Sequence, residues 1–106
     1  MSDVKFTDNS GAVLAELKSR VGTALNAIGA VAETHAKELT PVRTGRLRNS
    51  IAHKAEDDSV YIGTNVEYGP AVEFGTSRQK AHHMLKKAAT EHSAEYKAIA
   101  KDILGG

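Results

Sequence analysis

The fold is decided by Thr40-Pro41-Val42-Arg43-Thr44-Gly45-Arg46-Leu47-Arg48-Asn49-Ser50-Ile51 and, further along, by Tyr68-Gly69-Pro70-Ala71-Val72-Glu73-Phe74-Gly75-Thr76. The first stretch predicts a helix end at Thr40-Pro41, a tight turn at Thr44-Gly45 and the start of a strand, because proline disfavours helical geometry before it. The second predicts an apolar and aromatic segment closed by a glycine turn. Neither contains a nucleophile–base pair, a metal-binding motif or a phosphate loop. Both therefore indicate a small scaffold that presents a surface.

A long amphipathic helix is predicted before the first stretch, from about Gly11 to Leu39. Its apolar residues recur at steps of three, four and seven, which places them on one face. That face comprises Leu14, Leu17, Val21, Leu25, Ile28, Val31, Ala32 and Leu39, with His35 among them. Asp8, Asn9 or Ser10 is expected to cap the helix, and residues 1–9 are expected to be a flexible arm or an edge strand. Gly22 and Gly29 either permit close packing or mark a bend.

Two short strands and a second helix are predicted after the first stretch. Alternation predicts a strand from Leu47 to about Ala55 and another over Val60–Thr64, joined by a hairpin at residues 56–59. Residues 66–74, interrupted by Gly69-Pro70, are expected to form a short strand or an irregular segment. Apolar spacing predicts a last helix from Leu85 to Leu104. The fold class is therefore α+β: a long N-terminal helix, a small antiparallel sheet of two to four strands, and a C-terminal helix packed on it.

Composition narrows the class of protein further. The 106 residues are expected to form a single domain, with a core rich in alanine and poor in aromatic residues, which make up 5%. With 14 basic and 13 acidic residues, the net charge of +1 disfavours a dedicated nucleic-acid binder. Cysteine is absent, so disulfides and thiolate metal sites are excluded. No signal peptide or membrane span is expected from the hydropathy pattern.

Neither the histidines nor the carboxylates form a recognisable catalytic or metal-binding motif. The histidines are His35, His53, His82, His83 and His92, and they lack the spacing of three or four residues on a helix that typical zinc sites have. His82 and His83 are expected to be solvated, and His35 and His92 to pack on helix faces. The serines lack a nucleophile-elbow context. We therefore expect no enzyme activity, no metal and no cofactor.

The local basic cluster Arg43, Arg46 and Arg48 has two interpretations. In the first, the cluster binds phosphate or DNA. In the second, it forms ion pairs at a protein–protein interface, because the planar guanidinium group binds carboxylates well. The balanced overall charge favours the second. Glu73 lies between apolar neighbours, where an unpaired buried carboxylate is unfavourable. We predict that it pairs with one of these arginines, within a subunit or across a subunit boundary; the alternative is an outward-facing strand glutamate.

The two stretches together resemble the tail-completion and head–tail joining family of long-tailed bacteriophages. The family pattern is a helix ending in Pro-Val-x-Thr-Gly-x-Leu-x-x-Ser-Ile, followed by strands, Tyr-x-x-x-Val-Glu-x-Gly-Thr and a closing helix. The matching residues here are Pro41, Val42, Thr44, Gly45, Leu47, Ser50 and Ile51, then Tyr68, Val72, Glu73, Gly75 and Thr76, with Phe74 at the variable position between Glu73 and Gly75. The resemblance spans about residues 10–104. It departs from the family at residues 81–85, where a proline–aromatic pair is common and this chain has Ala-His-His-Met-Leu.

This resemblance implies a structural virion protein of the phage neck or upper tail, made in the host cytoplasm. It implies a homo-oligomeric ring, commonly hexameric, that joins the tail tube to the head connector and contacts the tail terminator. DNA would pass through the lumen without sequence-specific binding. The residues expected at subunit or partner interfaces are Arg43, Thr44, Arg46, Arg48, Tyr68, Glu73, Phe74 and Thr76.

Three other functions remain open from the sequence. The chief alternative is a small nucleic-acid-binding module that uses Arg43–Arg48, for which salt-dependent binding to duplex DNA would be the sign. A toxin–antitoxin or regulatory partner would instead form a discrete complex with a host protein. An enzyme is the least favoured of the three functions, and bound metal found by elemental analysis would be the simplest evidence for it.

Overall fold

Five helices and one hairpin follow one another along the described part of the chain, which covers residues 6–41, 45–78 and 80–105 of a computed structural model and omits the side chains of residues 6–10. They are α1 (Phe6–Leu39), α2 (Arg46–Ser50), β1 (Ala52–Ala55), β2 (Val60–Gly63), α3 (Gly69–Phe74), α4 (Met84–Thr90) and α5 (Ser93–Gly105). The hairpin, α4 and α5 all pack on α1. The predicted α+β class is confirmed.

Helix α1 has 34 residues and is therefore about 51 Å long. It ends at Leu39, as Thr40-Pro41 predicts, and the Thr40 hydroxyl donates to the Ala36 carbonyl at 2.6 Å. It begins at Phe6, so the predicted start near Gly11 is wrong, and residues 6–9 are helical rather than an arm or an edge strand. Asp8, Asn9 and Ser10 consequently lie inside the helix and not at the capping position before it. No proline interrupts residues 6–10, and extending an existing helix is easy compared with nucleating one.

The buried face of α1 is made of small residues. Ala24, Ala32 and Ala36 are at most 5% exposed, whereas Leu14 and Leu17 are more than half exposed. The predicted apolar face is therefore only partly correct. A Cβ at Gly29 would lie 2.6 Å from His53 Cδ2 and 2.7 Å from Val60 Cγ2, so glycine permits the hairpin to approach the helix. Small side chains are buried here because the hairpin and α4 come so near the helix axis.

The predicted strand from Leu47 to Ala55 is half wrong, because its first part is helix α2. Gly45 adopts the left-handed conformation with φ 76°, and the amide of Asn49 donates to its carbonyl at 2.8 Å. Leu47 and Ile51 are both buried, and their spacing of four suits a helical turn as well as the alternation of a strand. The spacing of Leu47 and Ile51 therefore does not distinguish a strand from a helix.

Strand β1 pairs with β2 in an antiparallel hairpin, as predicted. The register places Ala52 opposite Gly63 and Ala55 opposite Val60. The turn at residues 56–59 is closed by the Glu56 amide, which donates to the Ser59 carbonyl at 2.7 Å. His53 and Ile62, opposite each other, are half-buried, and this face of the hairpin lies on α1.

Residues 69–74 form helix α3, which corrects the predicted strand or irregular segment. Pro70 lies in the first turn of the helix, where the missing amide hydrogen would have had no partner within the helix. Gly75 follows with φ 79°, a conformation that favours glycine and ends the helix. Proline therefore starts a helix here and does not mark a sheet edge.

The predicted C-terminal helix is two helices, α4 and α5, with a turn at Glu91-His92. The hydroxyl of Tyr96 on α5 donates to the carbonyl of Ala88 on α4 and ties the two helices together across the turn. Both helices contact α1.

The core lies where α1, α2, α3 and α4 meet. It consists of Ala36, Leu47, Ile51, Val66, Val72, Met84 and Ala88, with Leu39, Ile62, Tyr68 and Leu85 packed around it. Met84 and Ala88 are fully buried, so α4 supplies the centre of the core. Among the described residues, no helix is both long enough and apolar enough to cross a membrane.

Candidate functional site

Glu73, near the C-terminal end of α3, is 5% exposed and binds the start of α4. One carboxylate oxygen accepts the amide of Leu85 at 2.8 Å and the other accepts the amide of Lys86 at 3.1 Å. These amides belong to the first turn of α4 and have no partner within the helix. The carboxylate also lies at the positive end of the helix dipole. Glu73 therefore works as a cap supplied by a distant part of the chain.

This geometry differs from both sequence-based interpretations of Glu73. The residue lies in a helix and is buried, so the outward-facing strand glutamate is wrong. In the described part of the chain its partners are backbone amides, not the guanidinium groups of Arg46 or Arg48. Arg43 and Thr44 lie outside the described residues. Pairing of Glu73 with an arginine across a subunit boundary stays a prediction.

Arg46, the first residue of α2, instead reaches Glu67. Its Nη1 and Nη2 atoms donate to the two Glu67 oxygens at 3.3 and 3.2 Å, and its guanidinium lies 5.6 Å from the ring centre of Tyr68. The pKa of Glu67 is lowered, first by a hydrogen bond with its own backbone amide and then by Arg46. Arg46 is thereby held against the turn that precedes α3, on an exposed part of the surface.

An apolar groove of about 630 Å³ lies between β2, α3 and the start of α4. Phe74 is on its rim and 73% exposed, and Tyr61 on β2 is 58% exposed. Ile62, Pro70 and Leu85 line it further. Exposed aromatic rings beside such a groove are typical of interaction surfaces.

Of the remaining predicted interface residues, Tyr68 packs against the core and Arg48 is half-buried on α2. Thr76 is exposed beyond α3, where its hydroxyl accepts the amide of Arg78 at 3.2 Å. Glu73 and Phe74 lie at the groove, whereas Arg46 and Tyr68 form a separate contact near Glu67. These four residues therefore belong to two different contacts and not to one site.

A second apolar surface lies on the N-terminal half of α1. Residues 11–20 are all exposed, and Val13, Leu14 and Leu17 are each more than half exposed. Their spacing of three and four places Leu14 and Leu17 together on one face of the helix. We call Val13, Leu14 and Leu17 the α1 stripe.

A third cluster joins the middle of the chain to its end. The rings of His35 on α1 and His92 in the α4–α5 turn are stacked, with centroids 3.6 Å apart and planes 1° apart. Glu95 Oε1 lies 2.6 Å from His35 Nε2, and Glu38 Oε1 lies 3.1 Å from His35 Nδ1. The Glu95 contact, opposed by burial and aided by Glu38, raises the pKa of His35.

Sequence reasoning missed the groove and the histidine cluster, although it named some residues of each. The groove depends on α3 being a helix that presents Phe74 beside β2. The cluster depends on the turn at Glu91-His92, which brings His92 to His35 across 57 positions of sequence. The repeated pattern His-x-x-Glu at residues 35–38 and 92–95 was the available signal for the cluster.

Comparison with known proteins identifies the class. The model of the HK97-gp10-like family, described as "Bacteriophage HK97-gp10, putative tail-component", matches residues 5–75, well over half of the chain. The chain belongs to this family of phage tail components. It is accordingly a structural component of the bacteriophage virion. No curated protein and no solved structure is similar enough to the chain to count as a match.

Proposed function

We propose that the protein is a single-domain tail-completion subunit that forms a ring in the phage neck or upper tail and joins the tail tube to the head connector. Family membership supports a structural role without catalysis. The observation that carries the ring is the presence of two different exposed apolar surfaces, the groove at Phe74 and the α1 stripe. A ring built head to tail needs two different surfaces on each subunit.

In this proposal the groove of one subunit receives the α1 stripe of its neighbour. The molecule extends 71 Å along its long axis, against 24 and 21 Å across, so the exposed N-terminal half of α1 can reach an adjacent subunit. An amphipathic helix lying in an apolar groove is a common mode of recognition. A hexamer fits the family resemblance, with the tail tube, tail terminator and head connector as partners. Arg43, Thr44, Arg46, Arg48 and Thr76 are then expected to contact neighbouring subunits or these partners.

The experiment that tests the function is electron microscopy of particles made when the gene is silenced in its phage. Separate DNA-filled heads and tails with free or abnormal upper ends are expected. Intact infectious particles would refute a role at the joint. Restoring the gene as Phe74→Ser should leave the heads and tails unjoined, whereas the wild-type gene should restore infectious particles.

The nucleic-acid-binding alternative receives no specific support from the geometry. Arg46 contacts Glu67, which reduces the positive potential that Arg43–Arg48 would need for phosphate binding. The net charge of +1 also offers little counterion release. Tight binding to duplex DNA that weakens steeply with added salt would nevertheless favour this alternative over the ring.

A further inference from the structure

We propose that His35, His92 and Glu95 bind a zinc-class divalent transition-metal ion that fastens α5 to α1. Each residue offers one ligand atom, and the three atoms lie within 4.8 Å of one another. Two imidazoles and one carboxylate are a donor set that suits zinc, with a water as the fourth ligand. The proposal is independent of the ring, because it concerns contacts within one chain.

The second feature that points to a metal is the contact between His35 Nδ1 and Glu38. Histidines that bind metals usually donate their other ring N–H to a carboxylate, which fixes the tautomer and directs the free nitrogen to the ion. Glu38, one turn further along α1, is the acceptor in this position, with its Oε1 atom 3.1 Å from His35 Nδ1. The Nε2 atom of His35 is then the metal ligand, on the side of Glu95.

Binding requires a small rearrangement of side chains and none of the backbone. Ligand atoms around a tetrahedral zinc are roughly 3.3 Å apart, given Zn–N distances of about 2.0–2.1 Å. The two ring planes are parallel, with centroids 3.6 Å apart, so the nitrogen lone pairs lie in separate planes. The His92 ring must therefore tilt for its nitrogen to face the same point as Nε2 of His35. The His92 side chain is 36% exposed and lies in the turn before α5, where it has room to tilt. Glu95, 48% exposed, can move off His35 Nε2 as the ion enters.

The occupant follows from the chemistry of the ligands. Magnesium and calcium prefer sites made entirely of oxygen, so a site with two imidazole nitrogens discriminates against them. Tyr96 lies beside the stack, with its ring centre 6.5 Å from each imidazole. A bound ion would therefore link residue 35 of α1 to the start of α5.

The test is isothermal titration of the full chain, without a histidine tag, with ZnCl₂ and separately with MgCl₂. We expect one zinc per chain, no magnesium binding and a rise in thermal unfolding temperature that a chelator reverses. His35→Gln and His92→Gln should each weaken zinc binding at least 10-fold, and Glu38→Gln should weaken it roughly 10-fold. His82→Gln, an exposed histidine outside the cluster, is the matched control and should bind as the wild type does.

A measurement on the unaltered chain keeps the test valid if a variant fails to fold. Cobalt added to the wild-type protein should produce the strong visible absorption of a tetrahedral nitrogen and oxygen site, and zinc should displace it. No saturable binding, or equal losses in His82→Gln and His92→Gln, would show that the cluster is a set of ion pairs and overturn the proposal.

Discussion

The carboxylate of Glu73, at the end of α3, accepts the backbone amide of Leu85 at 2.8 Å, twelve positions away in the first turn of α4. The amides of His82 and His83 donate in turn to the carbonyls of Val72 and Glu73, at 2.9 and 3.0 Å. These bonds fix the angle between the two helices. Since both helices line the apolar groove, they also fix its shape.

Replacing Glu73 should therefore loosen α4. Glu73→Gln is expected to lower the free energy of unfolding by about 1 kcal/mol, because the amide group keeps one acceptor but loses the charge at the helix dipole. Glu73→Ala is expected to cost about 2 kcal/mol, since two buried amides lose their partners. Urea denaturation measures both values. Glu56→Gln, an exposed glutamate in the hairpin turn, is the control and should change stability little; equal effects at both positions would contradict the capping role.

Gly22 and Gly29, two of the glycines of α1, should respond oppositely to the same substitution. Gly29→Ala places a methyl group against His53 and Val60, so we expect a loss of about 1–3 kcal/mol. Gly22→Ala meets nothing within 4 Å and should stabilise the helix by up to about 1 kcal/mol. Thermal and urea denaturation of the two variants provide the comparison. A stable Gly29→Ala variant would show that the hairpin does not lie so close to α1.

Arg46 should influence the titration of Glu67 without governing it. The pKa of Glu67 is lowered first by its own amide and then by Arg46, so Arg46→Gln should raise it only part of the way to its usual value. Because the folded pKa is lowered, the pair's contribution to stability is present above the usual pKa and is lost as the pH falls through the folded value. Both side chains are exposed, so this contribution is small.

NMR of the Glu67 carboxyl carbon, recorded as a function of pH, measures the midpoint of the Glu67 titration directly. Lys54→Gln, which removes a cation from the exposed face of β1, is the control and should leave that midpoint unchanged. A midpoint unaffected by Arg46→Gln would mean that the two residues do not contact each other in solution.

Phe74 should matter for assembly and not for folding. Its ring is 73% exposed, so Phe74→Ser is expected to change the free energy of unfolding by less than about 0.5 kcal/mol. The same change should abolish ring formation in sedimentation experiments on chains that assemble. Leu104→Ser, an exposed apolar residue of α5 distant from the groove in sequence, should leave assembly intact. A ring that survives Phe74→Ser would exclude the groove from the interface.

Sequence patterns predicted α1, its end at Thr40-Pro41 and the hairpin well, because these depend on local rules. Proline at position 41 restricts its neighbours in any surroundings. Alternation over Ala52–Ala55 and Val60–Gly63 gives one half-buried face. The patterns failed at α2, where Leu47 and Ile51 are separated by four residues and fit both periods. They fail again at α3, because a proline among apolar residues predicts a sheet edge and Pro70 instead lies in the first turn of a helix.

The candidate site was less predictable than the fold. The sequence predicts Phe74 and Glu73 as interface residues, but their roles depend on long-range contacts. Phe74 lies on the exposed rim of the groove, and Glu73 caps α4. The pairing of Glu73 with Leu85 could not be foreseen, because any amide in the first turn of a helix is an acceptable donor. The His35–His92 stack depended on a turn that apolar spacing alone did not mark.

Local sequence patterns were sufficient to predict the class of fold, the hairpin and membership in a family of phage tail components. They were sufficient because helix period, strand alternation, proline, glycine and motif order are properties of neighbouring residues. The contacts between residues far apart in sequence depend on the three-dimensional fold: Glu73 with α4, Gly29 with the hairpin, and His35 with His92. Those contacts arise from the packing of the hairpin, α4 and α5 on α1 and of α3 against α4, and packing depends on the shapes of side chains far apart in sequence.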